Sequence, residues 1–437
     1  MTDWTIILRS MRSRLFSTTT TVVTVAVAVA LMLVLLTMRG AARRAFEQGG
    51  GNMHLLLSRD ASPLVSVLNG LFFANAPRAP IQFREYEQFV AGMPLVDWAV
   101  PVQLGDSYEA RYPVVATSRE FFTKFKPRPG GEWGIATGDV FERDFEVVLG
   151  ATVARETGLR VGQSMTLTHG FPTQGGGEHV GHDHGEYVYS IVGVLEPTGQ
   201  AFDRAVFTSL MSTWVIHAHD RIEKAEHGEE GHIHKLTTQE DVTEEDKKIT
   251  NIFVRVRSRE GSDASASLPV LFDRLRRGQG FPGGVTVAQP NQEMNRLMDI
   301  VGNVDRILLA VAAVVMISSA IAIMLALYNS MDQRRRQIAV LRVLGASRAR
   351  VLGLVLTESA VIGLMGVAAG ILLGAVGAMA AAAVMKRRLG LVIEPDLDPP
   401  AVIAVAIATV LLACLAGLVP AAAAYRTSVM RNLRPMG

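Results

Sequence analysis

Histidine is the residue type in this chain whose number and spacing are suited to metal binding. Nine of the ten histidines fall between positions 169 and 234, mostly in two polar segments predicted as insertions near 175–186 and 217–248. Neutral imidazoles beside carboxylates suit Zn²⁺, Ni²⁺ or Cu²⁺, and histidine-rich tracts often bind such ions. The H-x-x-H-x-H spacing fixes no four-ligand geometry, so a solvated polar loop is the alternative. The candidate metal ligands are His179, His182, His184, His217, His219, His227, His232 and His234.

The motifs of common active sites are missing from the sequence. It contains no G-x-x-x-x-G-K-[ST] segment to hold nucleotide phosphates, and no H-E-x-x-H, G-x-S-x-G or C-x-x-C site. The one cysteine, Cys414, lies in an apolar stretch, so the polar middle of the chain forms no disulfide of its own. We therefore expect no catalytic residue, and no cofactor in this chain other than a transition metal on the histidine tracts.

An arginine-rich segment lies between two long apolar stretches near the C-terminal end. Loops of this kind stay in the cytoplasm by the positive-inside rule. The segment 329–353 is therefore predicted to be a cytoplasmic elbow between two membrane spans. Its arginines are Arg334, Arg335, Arg336, Arg342, Arg348 and Arg350.

The rest of the chain alternates between membrane-like and polar composition. For the whole chain, the mean hydropathy is +0.26, 49% of the residues are hydrophobic, and the net charge is +2. Such a balanced charge argues against binding to nucleic acid, which needs a basic surface. A helix needs about 20 apolar residues to cross a bilayer. The stretches of that length are 18–38, 307–328, 354–384 and 400–422, followed by a cytoplasmic tail at 423–437.

The elbow sets the orientation of these predicted spans. With the elbow inside, both termini are cytoplasmic, and residues 40–300 and the short loop 385–399 lie outside. Basic residues at 39–44 and 386–388 oppose this assignment, but the elbow carries more charge. Residues 1–17 place Trp4 and other apolar side chains on one face, which predicts an amphipathic helix at the membrane interface. A cleaved signal peptide is the alternative for the first span, but that span is long and is followed by Arg39, Arg43 and Arg44 without a clear A-x-A site.

The polar region 40–300 shows strand and helix patterns in alternation. Predicted strands are 147–149, 164–169, 188–195, 252–257 and 285–289, and predicted helices are 82–91, 152–157 and 264–277. From 291 to 328 only Gly302 interrupts the helical pattern, so a stalk and the second span should form one helix. The predicted fold class is an integral membrane α-helical protein, with four transmembrane helices and a large α+β extracytoplasmic domain between helices 1 and 2.

The elbow RRRQIAVLRVLGASRARVLGLVLTESAVIGLMGVAAGILLG resembles the signature of the MacB/FtsX-type ABC transporter permeases, also called type VII ABC transporters, which include the lipoprotein-releasing Lol permeases. VVLGATVARETGLRVGQSMTL is similar to their periplasmic core domain, and YSIVGVLEPTGQAFDRAVFTSL to a motif of some branches. The resemblance covers nearly the whole chain. It implies a multi-pass permease of the bacterial inner membrane that works as a dimer, more readily a homodimer, over two cytoplasmic ATPases that bind ATP and Mg²⁺.

The resemblance implies that the elbow couples the permease to its ATPase. Ser347 suits the N-cap of a short helix through Arg348 and Arg350, and such a helix could dock in a groove. Anchoring of the arginines to anionic headgroups is the alternative. Glu358 either snorkels outward or makes a buried contact between helices. The expected coupling residues are Arg334, Arg335, Arg336, Leu341, Leu344, Gly345, Ala346, Ser347, Arg348, Arg350 and Glu358.

Three functions follow from these observations. The first is a permease subunit that extracts or expels a lipoprotein, peptide or other amphiphile from the outer side. The second is a regulatory protein that activates a periplasmic hydrolase. The third is a component of zinc or transition-metal uptake or sensing. Expected partners are the ATPase dimer, a second permease copy, a periplasmic protein and membrane lipid, but not nucleic acid.

Overall fold

The computed structural model describes residues 3–128, 130–171, 185–226, 236–258, 267–277, 281–343, 345–389 and 397–425. The chain divides into two compact units. The helical unit comprises Met1–Ala42, Ile300–Arg388 and Ile393–Gly437, and the α+β unit comprises Arg43–Asp299 and Leu389–Val392.

The α-helices differ greatly in length between the two units. The short helices other than α1 belong to the α+β unit, whereas α1 and the long apolar helices contribute to the helical unit. They are α1 (Asp3–Arg12), α2 (Leu15–Gly49), α3 (Pro63–Phe72), α4 (Phe83–Tyr86), α5 (Glu120–Lys124), α6 (Ala151–Thr157), α7 (Leu210–Glu226), α8 (Leu268–Arg276), α9 (Pro290–Val343), α10 (Arg348–Leu389) and α11 (Pro399–Tyr425). A π-helical turn, Glu87–Ala91, continues α4, and 3-10 turns lie at Ala201–Arg204 and Gln239–Asp241.

Four helices of the described chain are long and apolar enough to cross a membrane, judged by length and composition. These candidate spans are Leu15–Ala41 in α2, Arg306–Asn329 in α9, Ala349–Val384 in α10 and Pro399–Ala422 in α11. Their leucine, isoleucine and valine side chains are exposed along one face of each helix, as expected for contact with lipid. One span precedes the α+β unit in the sequence and three follow it, which confirms the predicted fold class.

One mixed sheet organises the α+β unit. Its strands are β1 (Leu55–Ser58), β3 (Val96–Tyr108), β4 (Tyr112–Thr117), β5 (Ile135–Gly138), β6 (Glu146–Leu149), β7 (Ser164–Met165), β8 (Thr168–His169), β9 (Tyr189–Leu195), β10 (Val206–Ser209), β12 (Asn251–Val256) and β13 (Thr286–Ala288). They follow the order β13-β1-β12-β3-β4-β10-β6-β9-β5, with β7 on β9 and β8 on β3. The pairs β4–β10 and β6–β9 are parallel. A separate antiparallel pair joins β2 (Ile81–Gln82) to β11 (Lys248–Ile249).

The middle strands of the sheet are buried on both faces, whereas β5 at its edge is exposed. Successive side chains of a strand point to opposite sides, so each face needs its own apolar cluster. In β1, Leu56 enters one apolar cluster while Leu55 and Leu57 enter another. The first cluster is aromatic, with Phe121 surrounded by rings at centroid distances of 5.1–6.0 Å. A third cluster covers β6 and β9 on the side of α6 and α7.

Three predicted elements differ from the structure. The first span lies in a helix that starts at Leu15 and continues to Gly49, well past position 38. The predicted insertion 217–248 begins inside α7, a regular helix of the sheet cover, and ends in β11. The predicted strand 164–169 is divided into β7 and β8, which pair with different neighbours.

Candidate coupling site

The elbow reverses the chain between α9 and α10 with a glycine turn. After α9 ends at Val343, Gly345 adopts φ +93°, a left-handed conformation that favours glycine, and its N–H donates to the carbonyl of Arg342 at 3.1 Å. The Ser347 hydroxyl accepts a hydrogen bond from the N–H of Arg350 at 3.2 Å. Ser347 therefore caps the helix that follows, as its sequence position predicts.

The elbow helix is not a separate element. The short helix predicted through Arg348 and Arg350 is the first turn of α10, which runs without a break from Arg348 to Leu389. The helix continues because no proline occurs between Arg350 and Leu389, and alanine and leucine are frequent there. Several expected coupling residues lie outside what the structure describes, so their coupling roles stay predictions. These are the side chains of Arg334, Arg335, Arg336, Leu341 and Arg348, and all of Leu344.

Glu358 lies in the interior of the helical unit. Only 5% of it is exposed, and Val355 and Ile362, one helical turn before and after it, are buried as well. The backbone of α11 comes into close contact at the neighbouring residue, since a Cβ on Gly417 would overlap Ser359. Of the two predicted alternatives, the structure selects the buried contact between helices rather than the snorkelling side chain.

A row of glycines brings α2 and α10 together. Gly366, Gly370 and Gly374 recur every four residues on one face of α10, which is the small-residue spacing of closely packed membrane helices. A Cβ built on Gly370 would lie 2.6 Å from Val29 Cβ, and one on Gly366 would overlap Val25. The backbones of α2 and α10 therefore touch where side chains would otherwise separate them.

The N-terminal helix α1 joins the same unit through part of its apolar face. Ile7 and Met11 are buried in a cluster with residues of α2, α9 and α10. Trp4 and Leu8 remain exposed, at 54% and 45%. Exposed apolar side chains beside a membrane bundle fit the predicted position of α1 at the bilayer interface.

In the α+β unit, the residues that follow α2 contact the residues at the start of α9. A Cβ on Gly50 would lie 2.7 Å from Asn291 Oδ1, so a larger residue at position 50 would displace the Asn291 side chain. Gly51 turns the chain with φ +55°, and a Cβ there would lie 2.6 Å from the Phe125 ring. Within the α+β unit, the residues that follow α2 thus form a tight turn against the start of α9.

Asn52 fastens this turn to two other parts of the unit. Its Oδ1 accepts from the N–H of Lys126 at 2.8 Å, and its Nδ2 donates to the carbonyl of Lys124 at 2.9 Å. Arg255 of β12 donates from Nη1 to the Asn52 carbonyl at 2.6 Å. Nearby, Met294 in the first turns of α9 is buried in the aromatic cluster, and Leu297 packs against it.

The structure places two of the predicted metal ligands on α7. The His217 ring nitrogen Nδ1 lies 3.2 Å from the Asp246 carbonyl, and burial lowers the pKa of His217. His219 Nδ1 lies 3.2 Å from Thr237 Oγ1, and its Nε2 lies 3.3 Å from Glu186 Oε1. Both side chains are thus held by hydrogen bonds in the sheet cover.

His169, which the sequence did not single out, lies against His217 with ring centroids 5.9 Å apart. Its Nδ1 is 2.8 Å from Oδ1 of the buried Asp106, and this hydrogen bond raises the pKa of His169. Among the described residues, no group of three or more histidines, cysteines or acids could hold a metal ion. The other candidates, His179, His182, His184, His227, His232 and His234, lie outside the described residues, so their metal binding stays a prediction.

Sequence reasoning missed the polar contacts that fix the sheet connections. Asp203, in the segment EPTGQAFD, is buried and accepts hydrogen bonds from Thr198 and Gly199. The glycine row of α10 was also missed, although its spacing of four is readable in the sequence. The Asn52 contacts leave no such signal, because Asn52 binds residues far away in the chain.

Comparisons with known proteins agree with this architecture. The model of the MacB-like periplasmic core domain matches residues 18–267, more than half of the chain, and the model of the FtsX-like permease C-terminal region matches residues 309–429. The chain therefore belongs to the MacB/FtsX-type ABC transporter permeases, a family of multi-pass membrane proteins that function with an ATPase partner.

The matched relatives are distant. The chain is similar to "Uncharacterized ABC transporter permease MJ1507" of Methanocaldococcus jannaschii, with 24% identity over 182 residues, or 42% of this chain. The match spans 45% of that relative, less than half of its length. Among solved structures, the periplasmic region of MacB from Actinobacillus actinomycetemcomitans matches 57% of this chain and 94% of its own, with 9% identity and a TM-score of 0.33.

Proposed function

We propose that this chain is the permease subunit of an ABC transporter that transmits ATP-driven motion from partner ATPases to its α+β unit. In this proposal the ATPases bind at the elbow, and two permease copies assemble over them in a bacterial inner membrane. Both termini lie in the cytoplasm, and the α+β unit lies in the periplasm. The given residues contain no nucleotide-binding motif, which supports ATP hydrolysis by a partner subunit.

The continuity of α9 is the observation that carries the proposal. This single helix runs from Pro290 to Val343 without an internal proline. Its first turns are fixed in the aromatic cluster by Met294, and its last turn leads into the Gly345 elbow. Because an α-helix resists bending, displacement at one end is carried along the helix axis to the other.

The end of α2 supplies a second mechanical connection. It is fixed to the α+β unit at Gly50 and Gly51 and by the hydrogen bonds of Asn52. Within the helical unit, α2 packs closely on α10, the helix that begins at the elbow. A motion imposed on the elbow thus has two helical routes, α9 directly and α10 through α2.

The spans favour cargo that is handled on the outer side. The candidate span Ala349–Val384 contains only Arg350 near its start and the buried Glu358 as charged residues, and a hydrophilic channel would need more polar lining. We propose a lipoprotein, peptide or other amphiphile that the α+β unit extracts or expels without passage through the helices.

Charge reversal in the elbow tests the coupling role. The double variant Arg348→Glu, Arg350→Glu should lose ATPase co-purification, measured as ATP hydrolysis and as the subunit composition of the purified complex. Arg160→Glu, at an exposed position of the α+β unit, is the matched control and should retain the ATPase. Equal ATPase recovery with the double variant would contradict the proposal.

The orientation has its own test. In a Cys414→Ala background, which removes the native thiol, Val161→Cys introduces an exposed cysteine in the α+β unit. A membrane-impermeant maleimide added to intact cells with a permeabilised outer membrane should label this residue. Labelling only after disruption of the inner membrane would place the unit on the cytoplasmic side and refute the proposed topology.

A further inference from the structure

Arg204 is held in a fixed position at the end of the 3-10 turn Ala201–Arg204. The preceding residue, Asp203, is buried and accepts hydrogen bonds from the N–H and hydroxyl of Thr198 at 2.8 and 2.7 Å, and from the N–H of Gly199 at 2.8 Å. These bonds order the backbone that carries Arg204. The turn that carries Arg204 packs against α6.

The guanidinium of Arg204 is half-buried, and within the described part of the chain no hydrogen bond or ion pair reaches it. Burial lowers the pKa of Arg204; the negative charge of Glu156 opposes this effect, and the positive charge of Arg111 adds to it. Arginine carries five N–H donors and stays charged in proteins, so a partly desolvated guanidinium without an acceptor costs free energy. Such a group is suited to an acceptor that comes from outside the chain.

Glu156, the carboxylate whose charge acts on the pKa of Arg204, is already bound. Glu156 Oε2 accepts hydrogen bonds from Arg111 Nη2 at 2.5 Å and from the Tyr112 hydroxyl at 2.9 Å. Burial and the hydrogen bond to Glu156 raise the pKa of Tyr112 to about 12, so its hydroxyl remains a donor at neutral pH. Two guanidinium groups and one carboxylate leave one unit of positive charge, and the group without a partner is Arg204.

We propose that Arg204 binds the carboxylate of an external ligand, such as the chain end or an acidic side chain of a peptide. The planar guanidinium presents paired donors that match the two oxygens of a carboxylate. A monoanion would cancel the remaining charge of the cluster, whereas a phosphate dianion would leave a negative excess. The site is separate from the elbow, so it can be tested without an ATPase.

Site-resolved arginine modification can test this proposal on the purified full-length protein. Phenylglyoxal reacts with accessible guanidinium groups, and peptide mass mapping measures the reaction rate at each arginine. N-acetylglycinate, a monoanionic carboxylate, should slow the modification of Arg204 at least threefold. N-acetylglycinamide, which has the same shape without the charge, should leave the rate unchanged, and the exposed Arg160 is the internal control.

A second measurement does not depend on the reagent. At constant ionic strength, N-acetylglycinate should raise the thermal unfolding temperature of the wild-type protein but not that of Arg204→Gln, and Arg160→Gln should behave as wild type. The proposal is overturned if N-acetylglycinamide protects Arg204 equally, if inorganic phosphate protects it better than N-acetylglycinate, or if Arg204 is never modified and is therefore closed to ligands. Failure here would leave the ATPase-coupling role of the elbow untouched.

Discussion

Asp203 shows how one buried side chain fixes a connection between two strands. Its carboxylate accepts three hydrogen bonds from Thr198 and Gly199, and Phe202 beside it fills the aromatic cluster. Asp203→Asn would place an amide N–H against one of these donors. We expect a loss of about 1–3 kcal/mol, measured as a lower thermal unfolding temperature of the full-length protein. Asp139→Asn, at an exposed position, should have little effect, and an equal loss in both variants would contradict this role.

The pair Asp106–His169 makes stability depend on pH. The hydrogen bond to Asp106 raises the pKa of His169, so the pair stabilises the fold fully below the unfolded pKa of about 6.5, and this contribution is lost as pH rises through the folded pKa. The unfolding temperature of wild type should therefore exceed that of Asp106→Asn most at about pH 5.5 and least at about pH 8.5.

The interpretation must account for a second histidine, His217. Burial lowers the pKa of His217, whose neutral form is favoured in the fold, so His217 alone makes stability fall as pH decreases. The comparison must therefore be between variants rather than between pH values of wild type. In a His169→Gln background, the effect of Asp106→Asn should lose most of its pH dependence, and a persisting dependence would assign the titration to another group.

At the scale of elements, the sequence was sufficient to predict helices whose ends are set by capping residues within the same segment. The predicted helix 152–157 with its Gly158 cap is α6, with Gly158 at φ +75°. The continuous helix from 291 through the second span was also predictable, because no proline interrupts it. Periodicity and capping residues act within a few residues, so they are readable without the fold.

The elements that escaped prediction depend on distant partners. The long strand β3 contains Pro101, which normally argues against a central strand, but β3 pairs with β12 and β4 on its two sides. The polar composition of α7 did not predict a helix. Two side chains fix it in the fold: Trp214 donates to the Lys248 carbonyl at 2.8 Å, and Arg221 donates to the Asp246 carboxylate. Likewise, burial of Glu358 follows from the approach of α11, which the sequence of α10 does not show.

Helix contact in the helical unit gives a prediction at the same scale. Gly370→Ala would place a Cβ 2.6 Å from Val29 Cβ and 2.9 Å from the Ala26 carbonyl, which forces α2 and α10 apart. We expect destabilisation of about 1–3 kcal/mol, seen as a lower unfolding temperature in detergent. Gly353→Ala on the same helix meets no atom within 4 Å and should be neutral or stabilising by up to about 1 kcal/mol. Equal behaviour of the two variants would show that the close contact does not matter.

For the whole molecule, the proposed coupling assigns attachment and transmission to different parts of the chain. The elbow presents a turn and the start of α10, whereas α9 and the end of α2 are fixed into the α+β unit by Met294 and Asn52. A defect in attachment should abolish ATPase binding. A defect in transmission should leave binding intact and remove only the response of the α+β unit.

Gly302 is the place to separate these two functions, because it lies in α9 just after the boundary between the units, and a Cβ there meets no atom within 4 Å. Gly302→Pro removes a helical hydrogen bond and kinks α9, whereas Gly302→Ala strengthens the helix. We expect both variants to co-purify with the ATPase. A spin label on Val161→Cys in the Cys414→Ala background should respond to ATP in Gly302→Ala but not in Gly302→Pro. An unchanged response in Gly302→Pro would show that the motion does not travel through α9.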